Sequence, residues 1–315
     1  MRCNLADIVT SQLQLLTALS FFHKAHPYVL PRYYFLARRD SDRDSLRYLL
    51  PMMQYVGSLY AQDFSSSELK AIAFNQLDMP GIPPNGFTVQ ALLLMAISMH
   101  AEDEIEHARI TLDRAIYMAL EIRMNSRTFA NMEREPVLAE SWRRTYWGLY
   151  VTDAMFAGTG RAPSFMSVSI SHLNINQQLT QTRLYTIEAN VELPCEEVDY
   201  DGVRYTYFNI FNELETDFAQ IIPRPRTLSE YEARDFEDEE PVFSSFTYLI
   251  DLIRIMGSIL GIDNINGKDL EPAVANADAM LVNWKLHLPR EKQGVVDRNE
   301  EVDEILFAAH NLLQM

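Results

Sequence analysis

The sequence predicts an all-α protein, an irregular multi-helix bundle with an irregular, partly extended insertion around residues 165–228. Three observations carry this prediction. Nearly every strong periodicity repeats apolar residues at three- and four-residue steps, the spacing of one helix face. The 315 residues, 48% of them hydrophobic, suffice for one large core or two small ones. The stretch from 165 to 228 alone turns polar and β-leaning, without helical period.

In chain order, Leu5, Ile8, Val9, Leu13, Leu16 and Leu19 describe an amphipathic helix; Asp7 and two glutamines make a signal-peptide reading the poorer one. Residues 26–35 hold two prolines and read as extended, while 45–61 and 65–78 read as helices. Three prolines and two glycines in MPGIPPNG, 79–86, require a loop. Residues 88–100 are apolar on nearly all sides, and 102–122 carry a stripe through Ile105, Ala108, Leu112, Ala115, Ile116 and Ala119. These two segments are expected to pair antiparallel, with acids crowding the second helix's first turn, where the dipole favours them. A helix over 136–157 opens with Pro136 at a first-turn position. Further helices are read at 241–261, 270–288 and 299–315. No polar cap or glycine closes the last, so the single domain expected over 1–315 is read as incomplete at its C-terminus.

Net charge −17 and a pI near 4.8 argue against a phosphate-gripping surface, since nucleic-acid affinity comes mainly from Lys and Arg displacing counterions. Direct nucleic-acid binding by this chain is therefore not expected. Two cysteines, Cys3 and Cys195, give neither a disulfide framework nor a Cys-rich metal site, which suits a reducing compartment. No apolar run reaches membrane-spanning length, and no membrane association is expected.

The densest stretch is ESWRRTYWGLYVTDAMFAGTGRAPSF, residues 140–165. Trp142, Tyr146, Leu149, Tyr150 and Phe156, with Trp147, Val151 and Ala154, leave its helix apolar almost all round, so it belongs in a core. Asp153 then faces an interior where a lone carboxylate costs several kcal/mol, and Arg161 on the following turn is the nearest cation.

These residues resemble the middle homology region of the fungal binuclear zinc-cluster transcription factors, the fungal-specific transcription factor domain. The resemblance lies in a Glu followed by Trp142, Arg143 and Arg144, in Trp147 and the Leu-Tyr after it, in Asp153, and in the turn Gly160-Arg161-Ala162-Pro163. Other pieces fall in the same order: LLTALSFFHKAHPYVLPRYYF, ARITLDRAIYMALEI, VELPC, and LVNWKLHLP at 281–289. The resemblance implies a regulator of fungal metabolic genes, secondary-metabolite genes among them. It implies a nuclear location, although no clear basic localisation signal is present. It implies partners in the transcription machinery or among co-regulators, self-association as a homodimer, and a small apolar effector. Zinc belongs to the family's separate DNA-binding module, so no cofactor, metal or catalytic residue is expected in this chain.

Three departures stand against the family pattern. Six thiolates hold the family's two zinc ions, and this chain has two cysteines. The family's helical region continues beyond the Trp-x(3)-Leu-Pro element, whereas this sequence stops at Met315. The separation of Pro163 from Pro194 is also long, and residues 168–189 are read as an insertion or an unspliced intron. VSIS at 168–171 is how a splice-donor sequence would translate, and the Leu-Thr at 179–180 fits a branch sequence.

Catalytic patterns are incomplete. Glu104-x(2)-His107 is one half of a carboxylate-bridged di-iron motif without the other half, and reads as a solvated helix face. His23 and His26 lack a third ligand, GTGR at 158–161 lacks the spacing of a dinucleotide loop, and Cys195 has no nearby histidine. An enzyme is not expected. The stretch EYEARDFEDEEPVF, 230–243, interleaves acids with Tyr231, Phe236 and Phe243 as activation segments do, but it equally suits a loop entering a helix N-terminus. Two functions follow: a regulatory domain acting through protein contacts, or a stand-alone helical sensor or co-regulator that binds an effector without DNA.

Overall fold

Two proline residues set the entry into the fold. Leu15, Ala18, Leu19 and Phe22 are buried along a helical stretch whose Ala18–Phe22 part is π-helical and runs into α1 (His23–Ala25). Pro27 and Pro31 then hold residues 26–31 out of helical geometry, Pro31 at φ −54° and ψ 149°. The stretch read as extended is a turn and bend at 27–29, tightened by the Tyr28 N–H donating to the His26 carbonyl at 2.9 Å, and it ends at Pro31 and not at 35. Beyond Pro31 no ring blocks the helix, and α2 (Arg32–Ser41) starts with the Phe35 N–H donating to the Pro31 carbonyl at 2.9 Å.

The computed structural model describes residues 15, 17–60, 66–160, 190–202, 222–233, 242–262, 270–296 and 300–314. The readings at 5–14, at the 168–189 insertion, at Arg161 and Pro163, and at the acidic run 235–240 lie outside these residues. Thirteen helices and no strand occur among those described, so the fold is all-α. The chain divides into two compact units, Met1–Leu149 with Glu197–Arg224, and Tyr150–Glu196 with Pro225–Met315.

In the first unit, α3 (Leu49–Leu59) begins after turns over 43–48, which places Pro51 in the first turn, where its missing N–H is not needed. The helix at 65–78 appears as α4 (Ser66–Asp78). Asn85 caps α5 (Gly86–Ala101) by accepting the Thr88 N–H at 2.9 Å, and the helix is buried on nearly every side. A short reversal with Asp103 at φ 64° leads into α6 (Ile105–Glu121), which packs back on α5 as the paired periodicities predict.

Ala108, Leu112, Ala115, Ile116 and Ala119 form the buried stripe of α6, whereas Ile105 is 39% exposed and lies off it. Of the acids expected in the first turn of α6 only Glu106 lies there, while Glu102 is the C-cap of α5 and Glu104 the N-cap of α6. Glu102 and Glu104 both engage the Lys70 ammonium of α4, at 3.0 Å for Glu104, and Glu102 accepts the Tyr55 O–H at 2.5 Å. A short α7 (Arg127–Asn131), capped by Ser126, precedes α8 (Pro136–Gly160), in which residues 137–154 are all buried. Phe156, read as part of that core, is half-buried. The first unit takes α8 through Leu149 and closes with α9 (Glu197–Gly202).

The second unit takes α8 from Tyr150. Its Leu193 N–H donates to the Arg226 carbonyl at 2.7 Å, an isolated antiparallel bridge in the stretch read as partly extended. A Thr227–Glu230 capping box opens α10 (Leu228–Glu232). The core forms from α11 (Ser245–Ile262), α12 (Leu270–Leu286) and α13 (Glu304–Leu313), which bury Leu249, Ile250 and Leu252, then Trp284, then Ile305 and Ala309. The Trp284 indole N–H donates to the Tyr248 carbonyl at 2.9 Å, and Asp303 caps α13 through the Leu306 N–H. No helix of the described residues is long and apolar enough to cross a membrane.

Candidate functional site

The first half of α8 brings the sequence motif to one place and engages its polar groups. Trp142 is buried edge-on to Phe87 at 4.9 Å, with Phe129 at 6.1 Å. Arg143 donates to Glu140 at 3.3 Å and to the Asn131 side chain at 3.1 Å. Arg144 is fully buried. Its Nε donates to Glu140 Oε1 at 2.9 Å, while Nη1 reaches Glu197 of α9 at 3.2 Å and the Pro27 carbonyl at 3.3 Å. Its guanidinium lies 4.3 Å from the Tyr200 ring centroid, and the Tyr200 hydroxyl donates to the Val29 carbonyl at 3.1 Å. A planar guanidinium suits such a position, because it satisfies several acceptors in a fixed fork and stacks on a ring.

Around this pair, Gln90 of α5 places its amide within 2.9 Å of the Tyr28 carbonyl and of Ser141 Oγ, and within 2.8 Å of Thr145 Oγ1. The network thus ties the 27–31 segment, α5 and α9 to one face of α8. Farther along α8, Trp147 is buried edge-on to Tyr146 at 5.4 Å, Asp153 is fully buried, and Gly160 is the last described residue of the helix. The Asp153–Arg161 pair read from the sequence falls partly outside the described residues.

Asn131, Glu197, Tyr200 and Gln90 are the network members that the sequence reading did not single out, whereas Glu140 entered it as the acid that opens the motif, without a partner. Glu140 was legible as the acid four residues before Arg144, the favourable order for a helical pair. Glu197 lies 53 residues from Arg144 and gives no local signal.

The other candidate ligands sit apart. Burial brings the His26 imidazole down to a pKa of about 4, and its ring packs against Phe22 at 4.3 Å. The His23 ring lies 6.3 Å from that of Tyr200. Glu104 is taken by Lys70, with His107 exposed 3.9 Å away. Among the described residues no three His, Cys, Asp or Glu side chains gather as a metal site. The zinc pair of a six-cysteine cluster does not fit this chain, whose thiols are Cys3 and Cys195. Tyr231 and Phe243 of the acidic stretch are buried edge to face at 5.0 Å, as core aromatics are.

Two clefts flank α12. The one between α10, α11 and α12, of about 380 Å³, is walled by Ile255, Met280 and Trp284. Its charges answer each other: the Tyr231 hydroxyl donates to Asp251 at 2.7 Å, and Arg254 donates to Glu232 at 2.6 Å. The other, of about 400 Å³, opens toward α13.

The profile of the fungal specific transcription factor domain matches residues 19–285, from the entry helix to the end of α12. The chain belongs to that family. It is 32% identical over 297 residues to the C6 finger domain transcription factor iacK of Pestalotiopsis fici. That alignment covers 91% of this chain and 38% of the relative, so the chain spans well under half of the relative's length. No solved structure matches. Within the matched residues, the buried first half of α8 holds Arg143 and Arg144 as an interior fastening of this chain.

Proposed function

We propose that the chain is the helical regulatory domain of a fungal transcription regulator of metabolic genes, secondary-metabolite genes included, and that it works through protein contacts in the nucleus. Family membership over residues 19–285 is the observation that carries this reading. The engagement of the motif's arginines inside the core supports it, because those groups serve the fold. Charge −17 opposes a direct grip on phosphates, so DNA contact falls to a separate six-cysteine zinc module and not to this chain. The partners in this reading are co-regulators or the transcription machinery, and a second copy of the chain.

Fusing the chain to a heterologous DNA-binding domain tests it, with a reporter in a fungal host. Transcription should change relative to the DNA-binding domain alone, and an Arg144→Met fusion should lose the change. A reporter indifferent to the chain would overturn the reading. The unfused chain should give no sequence-specific gel shift at physiological salt. A complex surviving competitor DNA would contradict that part.

The two clefts beside α12 favour a second reading, a stand-alone effector-binding sensor or co-regulator. A ligand that prefers the folded state raises its melting temperature by mass action, so a thermal-shift series with metabolites separates the readings.

A further inference from the structure

The cleft between α12 and α13 differs in kind from its neighbour. Val282 and Leu286, one turn apart on α12, are 52% and 64% exposed at its wall, and Leu288 is buried at its base. Single exposed aliphatic residues are ordinary on protein surfaces. Two at helical spacing that wall a cavity of about 400 Å³ offer apolar area in the size range of a small-ligand site.

Its polar groups sort into two kinds. The Gln293 amide donates to the Leu288 carbonyl at 3.3 Å, and His310 Nε2 lies 3.4 Å from the Lys292 carbonyl with its ring edge-on to Trp284. Lys285, in the last turn of α12, makes no ion pair with any described residue. Among the described residues no Asp or Glu lines the cleft, although acids outnumber bases by 44 to 27 in the whole chain. A cation without a facing acid, beside an aliphatic wall, complements a ligand that carries one negative charge on an apolar body.

We propose that this cleft binds a small lipophilic monoanion, an alkyl or aryl carboxylate, with its apolar body over Val282, Leu286 and Leu288 and its carboxylate at the Lys285 ammonium. The site is a property of the chain itself. It stands or falls separately from the regulator reading, because binding is measured on the purified protein without a promoter.

Anilinonaphthalene sulfonate, a fluorescent lipophilic anion, is the probe, and dodecanoate and dodecanol are the competitors. The expected result is a saturable rise in emission, reversed by dodecanoate and much less by the neutral alcohol. Lys285→Glu should weaken the probe roughly tenfold, the effect of exchanging a weak attraction for an equal repulsion at a partly exposed site. Lys285→Arg should keep its affinity within about a factor of three. Lys285 is exposed, so both variants should melt with the parent, and that control separates lost binding from lost folding. Binding that does not saturate, that ignores Lys285→Glu, or that dodecanol displaces as well as dodecanoate, would overturn the proposal.

Discussion

Gly86 lies against the face of Trp142 so closely that a Cβ built on it would stand 2.4 Å from the ring. Phe87 and Phe129 hold that ring from other sides, so it has little room to yield. In an open helix Gly→Ala is worth up to about 1 kcal/mol of added stability. Overpacking a filled core costs about 1–3 kcal/mol, and here it should win. Gly86→Ala is thus expected to lower stability in urea denaturation, and a Trp142→Leu background should remove the penalty. An alanine variant as stable as the parent would show that the ring is not pinned.

The Glu140–Arg144 pair has both side chains at 0–1% exposure, whereas Glu197 keeps 27%. Removing Arg144 takes from Glu140 one of its two buried arginines and leaves Arg143 as the other, so Arg144→Met should cost up to about 3–5 kcal/mol, and Glu140→Gln/Arg144→Met less than the sum of its parts. Glu197→Gln should cost under about 1 kcal/mol, since water already screens that end. Denaturation of these four variants beside the parent checks the order. Strict additivity would mean that the two buried side chains act independently.

These two relationships differ in how far the sequence announced them. The apolar run of α5, the loop before it and the stripe of α6 are local patterns, and they appear where the pattern places them except at Ile105, which lies off the stripe. Pro136 at the head of α8 and the all-round burial of that helix are likewise local. The prolines at 27 and 31 concealed the start of α2, because a proline halts a helix before it without forbidding one after it. The contact of Gly86 with Trp142 and the seating of Tyr200 on Arg144 join segments over fifty residues apart, so chain folding and not periodicity creates them.

Asp113 of α6 sits 2.9 Å from Arg109, yet burial outweighs that attraction and raises its pKa from 3.8 to about 6. A carboxyl whose folded pKa lies above its unfolded one binds a proton on folding between those two values. It therefore weakens the fold at neutral pH, and the penalty fades as pH falls through about 6 toward 4. Asp113→Asn should raise the melting temperature at pH near 7.5 and match the parent near pH 4. A difference that does not vary with pH, or one of opposite sign, would refute this assignment.

Tyr28 and Tyr200 offer a paired test of what a buried hydroxyl contributes. Both side chains are 1% exposed in the first unit. The Tyr200 hydroxyl donates to the Val29 carbonyl at 3.1 Å, and its ring supports the Arg144 guanidinium. The Tyr28 hydroxyl has no hydrogen-bond partner among the described residues, and burial pushes its pKa well above the ordinary phenol value, so it stays protonated. Phe keeps both rings and deletes only the oxygen. Tyr200→Phe should cost about 1 kcal/mol, the net worth of a typical hydrogen bond, and it leaves the Val29 carbonyl short of a donor. Tyr28→Phe removes a desolvated polar group, so it should be neutral or stabilising by up to about 1–3 kcal/mol. Urea denaturation of the two variants beside the parent decides it. If Tyr28→Phe loses as much as Tyr200→Phe, the Tyr28 hydroxyl is satisfied in solution, and the packing of Tyr28 against Gly148, where an added Cβ would stand 3.0 Å from the ring, would have to relax to admit the partner.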